Sequence, residues 1–145
     1  MKKAFTLIEL LVVIAVMAVI ASAVLVLIDP VDKLNSANDS RTQADVGQVA
    51  SAMTAYAASH NGLYPTTAQG SAELTTSGEM SKLPSPPTGY SAYIYTFNAA
   101  GTIAQISGQV KSKKYVNATP STPFWGWCNS SAAAGAVTGS AVCPP

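Results

Sequence analysis

The sequence predicts an α+β fold, with one long N-terminal α-helix packed on a small antiparallel β-sheet. Three patterns predict it. A long run, apolar at all but three positions, lies near the start of the chain, from Phe5 to Ile28. Apolar residues then recur at spacings of three and four, at Val46, Val49, Met53 and Tyr56, which is one face of a helix. From Tyr90 the period drops to two, as in "YSAYIYTFN", which is the signature of a strand.

The apolar run comes first. Its 24 residues make a helix about 36 Å long, enough to cross a bilayer. Only Thr6, Glu9 and Ser22 interrupt it with polar side chains, and no Gly or Pro does. Lys2 and Lys3 precede it, which places the N-terminus in the cytoplasm and the rest outside. A cleaved secretory signal would end at Ala21-Ser22-Ala23, yet the apolar run continues to Ile28. Glu9 fits neither that signal nor a plain anchor. A charge in a membrane costs at least a few kcal/mol and usually has a partner. Ala15, Ala18 and Ser22 form a strip of small residues that lets helices approach closely.

Asp29-Pro30 reads as a helix start, with Asp at the N-cap and Pro at the first helical position. The second helical stretch runs to about His60, where Asn61-Gly62 stops it. Asp39, Arg41 and Asp45 fall largely off its apolar face. His60 reads as a cation at a helix C-terminus rather than a site. The Thr-, Ser-, Gly- and Pro-rich region up to Tyr90 joins helix to sheet, with a short helical turn near Ala72 to Leu74. Residues 90–98, 101–110 and 113–118 then read as three strands of an antiparallel meander. "PFWGWC" at 123–128 adds an edge strand or a capping segment. A small sheet is not stable alone, so it should pack on the Val46–Tyr56 face.

Composition excludes several functions. Eight Lys and Arg against seven Asp and Glu leave no basic stripe for nucleic acid. No P-loop, nucleophile elbow or metal constellation occurs, so the reading is not an enzyme, with no cofactor and no metal. Three Asn-x-Ser/Thr triplets, at Asn38, Asn117 and Asn129, are what a chain rich in Ser and Thr produces by chance. Cys128 and Cys143 are too far apart for a C-x-x-C motif. If the domain is exported they are expected to pair, and otherwise they are two free thiols.

The stretch Lys2-Lys3-Ala4-Phe5-Thr6-Leu7-Ile8-Glu9-Leu10 closely resembles the class III signal of type IV pilins and type II secretion pseudopilins. The resemblance implies a type IV pilin-like fold. It implies cleavage between Ala4 and Phe5 by a prepilin peptidase, and methylation of the new Phe5 amine. Where the family usually has Gly before the cut, this chain has Ala4, the next smallest residue. Glu9 then falls at the fifth mature position. In a bundle of such helices, the Glu9 carboxylate of one subunit meets the Phe5 amine of its neighbour and fixes their register. "NGLYP" at the helix end resembles a stretch common in the family, and many pilins carry a C-terminal disulfide loop like the one Cys128 and Cys143 would close. Such a loop of sixteen residues contributes roughly 3 kcal/mol on the chain-entropy account.

The chain then divides into a leader at 1–4 and a transmembrane or filament-core half of the helix at 5–28. An amphipathic half follows at 29–61, then a joining loop at 62–90. The sheet and disulfide loop occupy 91–145. Without a break, the helix from Phe5 to His60 would measure about 84 Å, and Pro30 is the one place for a kink. The implied function is a structural subunit of a type IV pilus-like filament. It would wait in the cytoplasmic membrane, N-terminus inside, before an assembly platform and its ATPase build it into a helical homopolymer on the cell surface. The first alternative is a pseudopilin of a type II secretion or DNA-uptake system. A second, of another class, is a monomeric membrane-anchored binding module with Trp125 and Trp127 as its ligand face. Glu73 and Glu79 lie in the joining loop, and related loops in some pseudopilins help bind calcium; solvated surface charges are their ordinary role.

Overall fold

A computed structural model describes residues 5–27, 29–130 and 134–139. Two long helices come first, α1 (Leu7–Leu27) and α2 (Pro30–Ser59). A loop carrying α3 (Glu73–Thr76) leads to β1 (Ile94–Phe97) and β2 (Ala104–Gln109). A short helix α4 (Lys113–Val116) precedes β3 (Phe124–Cys128) and β4 (Gly135–Val137). The strands form one antiparallel sheet in the order β1-β2-β3-β4, with Tyr95 opposite Ile106 and Ile106 opposite Trp127. The arrangement is α+β and pilin-like.

Asp29 separates the two long helices. Its backbone is left-handed (φ 32°, ψ 76°), a conformation Asp tolerates better than most residues. Its Oδ1 accepts the Asp32 N–H at 3.2 Å, and Pro30 follows at the first helical position, so the pair starts α2 as a cap. At the other end Asn61 (φ 56°) and Gly62 (φ 83°) turn the chain away, and the Gly62 N–H closes on the Ala57 carbonyl at 2.8 Å. His60 caps the last turn. Its ring stacks on Tyr56 with centroids 3.8 Å apart. Its Nδ1 lies 2.9 Å from the Tyr56 carbonyl, which can only accept, so Nδ1 is the donor.

The core forms where the helical period predicts it. Val46, Val49, Met53 and Tyr56 of α2 are buried with Ile106 of β2, Trp127 of β3 and Leu74 of α3. Gly108 lets α2 and the sheet come this close. A Cβ built there would lie 2.6 Å from Thr42 Cγ2 and 2.7 Å from the Tyr93 ring. The Tyr93 hydroxyl donates to Asp45 at 2.6 Å, which pins the ring in place. Burial and then the Asp45 carboxylate push the Tyr93 phenol well above its ordinary range.

Three expectations are corrected. The segment 113–118 is not a strand. It forms α4, because the Lys111, Ser112 and Lys113 N–H groups are taken by carboxylates of α2 and cannot enter a ladder. The segment 123–128 is neither an edge nor a cap: β3 is interior, because Gly135–Val137 pairs along its outer side. Asp39 does not lie off the packed face. It is 1% exposed. Its Oδ1 accepts the Lys111 N–H (2.8 Å) and the Tyr90 hydroxyl (2.9 Å), and its Oδ2 accepts the Ser112 N–H (2.8 Å). A buried carboxylate is tolerated when donors surround it in this way. Burial, with Asp39 beside it, pushes the Tyr90 phenol up as well.

The two tryptophans are also placed by packing. Trp127 is buried and meets the Tyr64 ring edge-on at 6.3 Å. Trp125 packs against the core and meets Tyr115 edge-on at 6.0 Å. Glu79 lies in the joining loop, where its carboxylate accepts the Ser59 hydroxyl at 3.5 Å.

Candidate functional site

The candidate site is the start of α1. Leu7–Val24 is long and apolar enough to cross a membrane, and none of it is buried within the chain. A folded head gains nothing from such a helix, so its exposed surface needs lipid or other helices. Ser22 returns its hydroxyl to the Val19 carbonyl at 2.8 Å, which satisfies it inside an apolar setting.

At the helix start, Thr6 and Glu9 bond reciprocally. Glu9 Oε2 accepts the Thr6 N–H at 2.9 Å and the Thr6 hydroxyl at 2.7 Å, while Thr6 Oγ1 accepts the Glu9 N–H at 3.3 Å. This is a capping box, which satisfies backbone donors that the first turn leaves unpaired. Glu9 therefore has work in the single chain, and a plain anchor does not leave it without a reason. Both Thr6 bonds fall on Oε2, so Oε1 remains for a further donor.

Phe5 is 73% exposed, and it lines one shallow groove with Ile8, Glu9, Val12 and Val13. The structure thus brings Phe5 and Glu9 to the same face of the same end. Ala4 lies outside the described residues, as does Cys143. Cys128 ends β3, is fully buried, and no free cysteine occurs among the described residues.

Residues 1–25 match the family model described as the prokaryotic N-terminal methylation motif. The N-terminus is a class III prepilin signal. The match covers residues 1–4 and most of α1, and the exposed apolar helix has the form such a signal requires. It supports a type IV pilin-like or pseudopilin protein, held in the membrane as a precursor, processed by a prepilin peptidase and assembled in a pilus-like system. Proteins with this signal are structural rather than catalytic. The chain matches no curated protein and no solved structure.

The prepilin signal and Glu9 are legible in the sequence. The capping box is legible too, as T-x-x-E at positions 6–9, but the apolar setting draws attention to the charge and away from the cap.

Proposed function

We propose that the chain is a structural subunit of a type IV pilus-like extracellular filament and polymerises through α1. One observation carries this reading: a prepilin signal heads a helix whose stretch Leu7–Val24 buries no side chain in its own fold. In this reading the peptidase hydrolyses the Ala4–Phe5 bond and the Phe5 amine is methylated. The amine and the Glu9 carboxylate then sit on one end of each subunit, with Glu9 Oε1 open to a neighbour. Each charge is expensive alone among apolar helices and far less so when paired, so one axial offset between subunits is favoured over all others. The ion pair sets register while the small strip at Ala15, Ala18 and Ser22 sets closeness. The peptidase, a methylase, an assembly platform and its ATPase are the partners this requires.

The mature chain is expected to start at Phe5 with a methylated amine. Intact mass and N-terminal sequencing of membrane or fibre material check this. Retention of Ala4, or a start at Val24 as a secretory signal would give, would overturn the reading.

Cys128 and Cys143 are expected to be joined in exported protein. The buried position of Cys128 at the end of β3 supports a bridge that ties the C-terminal segment to the sheet. Non-reducing peptide mapping checks it: a cross-linked peptide pair is expected, and two alkylatable thiols would refute the bridge. Replacing both with Ser should lower stability by roughly 3 kcal/mol and leave leader cleavage untouched.

A further inference from the structure

The two parts of α2 are held to the head by different forces. From Thr42 onward the helix is docked by apolar burial, at Val46, Val49, Met53 and Tyr56. From Pro30 to Asn38 no side chain is buried, and Val31 and Leu34 are 64% and 67% exposed. Polar contacts tie this stretch to the head. The Lys113 ammonium pairs with the Asp29 carboxylate. Asp32 Oδ1 accepts the Lys113 N–H at 2.7 Å, and the Asn35 carbonyl accepts the Tyr90 hydroxyl at 3.3 Å. Asp39 then closes the series with its three bonds to the head.

We infer that Pro30–Asn38 is a releasable arm, latched to the head by Lys113 and bounded by Asp39. The sequence of the arm supports release. Asn35, Ser36 and Asn38 are weak helix formers, and helix ends without tertiary support fray first. Lifting it exposes no apolar core. The Asp29–Lys113 pair is solvent-exposed, and exposed pairs hold weakly. Asp39 marks the stop, because breaking it would strand a buried carboxylate and two N–H donors. The arm lies between the membrane-crossing helix and the apolar-docked helix. Its nine residues span about 14 Å as helix and about 30 Å extended, so release lengthens the link by roughly 16 Å. The inference concerns the single subunit and does not depend on polymerisation.

Hydrogen exchange of the full chain in lipid nanodiscs, read by mass spectrometry, tests it. The wild-type amides of residues 34–38 are expected to exchange at least about 10-fold faster than those of 46–57. Lys113→Ala is expected to speed residues 34–38 by a further factor of about 3 and to leave 46–57 unchanged; Lys113→Arg should restore the wild-type rate. Because Lys113 is outside α2, an effect on 34–38 must travel through the latch. Equal wild-type rates in the two segments would overturn the inference. So would no response to Lys113→Ala, or an equal rise in both segments.

Discussion

Replacing Glu9 with Gln is expected to abolish filaments while leaving the subunit inserted, cut at Phe5 and helical from its first turn. Gln keeps the capping box, because its side-chain oxygen can still accept the Thr6 N–H and hydroxyl. What it loses is the charge. The Phe5 amine of the neighbouring subunit would then be buried without an anion, at about 3–5 kcal/mol per interface. That penalty recurs at every subunit, so a long polymer should fail where a dimer would only weaken. Glu9→Val removes cap and charge together and should also fail. Glu9→Asp keeps the charge with a shorter reach and should assemble in part. Electron microscopy of sheared fibres, with the membrane level and N-terminal mass of each variant, reads the result. Normal fibres from Glu9→Gln would show that a neutral cap suffices, and would reduce Glu9 to a helix-start residue.

Gly108→Ala is expected to destabilise the head by about 2 kcal/mol and lower its Tm by roughly 10 °C. The added Cβ would stand 2.6 Å from Thr42 and 2.7 Å from the Tyr93 ring, and both are anchored. Thr42 is fully buried on α2, and Tyr93 is fixed by its bond to Asp45. The helix and sheet must move apart, which loosens the Val46–Ile106 layer. Gly47→Ala is the matched control. Nothing lies within 4 Å of its added Cβ, and Ala in mid-helix should stabilise α2 by about 0.5–1 kcal/mol. Thermal unfolding followed by circular dichroism in detergent compares the two. An unchanged Tm for Gly108→Ala would mean that the helix–sheet spacing relaxes freely.

The parts of this fold that were legible in the sequence are those written as local periods. The apolar run, the Val46–Tyr56 face and the alternation after Tyr90 each need only neighbouring residues to be read. Lys113–Val116 was not legible, because its fate is decided by Asp39 and Asp32, at least 72 positions away. Two Lys, a Tyr and a Val have no strong helical signature, and carboxylates from α2 take the donors a strand would need. The buried Asp39 was hidden for the same reason: a charge on a helical wheel reads as solvated until its donors are known. β4 is three small or branched residues, Gly135-Ala136-Val137, too short to announce itself. At the candidate site the cleavage signal and Glu9 were plain, since a charge amid apolar residues stands out. The capping role of Glu9 lay in its spacing from Thr6.

The brevity of the outer strands bears on how densely these heads can be crowded. β1 and β4 flank the sheet with four and three residues. At the end of β1, the Thr67 hydroxyl and N–H already occupy the Phe97 and Asn98 carbonyls, at 2.9 and 3.3 Å. Unpaired strand flanks are templates for aggregation, and short or occupied ones are how proteins blunt that hazard. A fibre would set its heads side by side at a local concentration no free protein reaches. Long bare flanks there would invite zippering between neighbouring heads and clumping between fibres. These flanks give such pairing only a few rungs to start from, so a polymer of such subunits would be crowded without gelling.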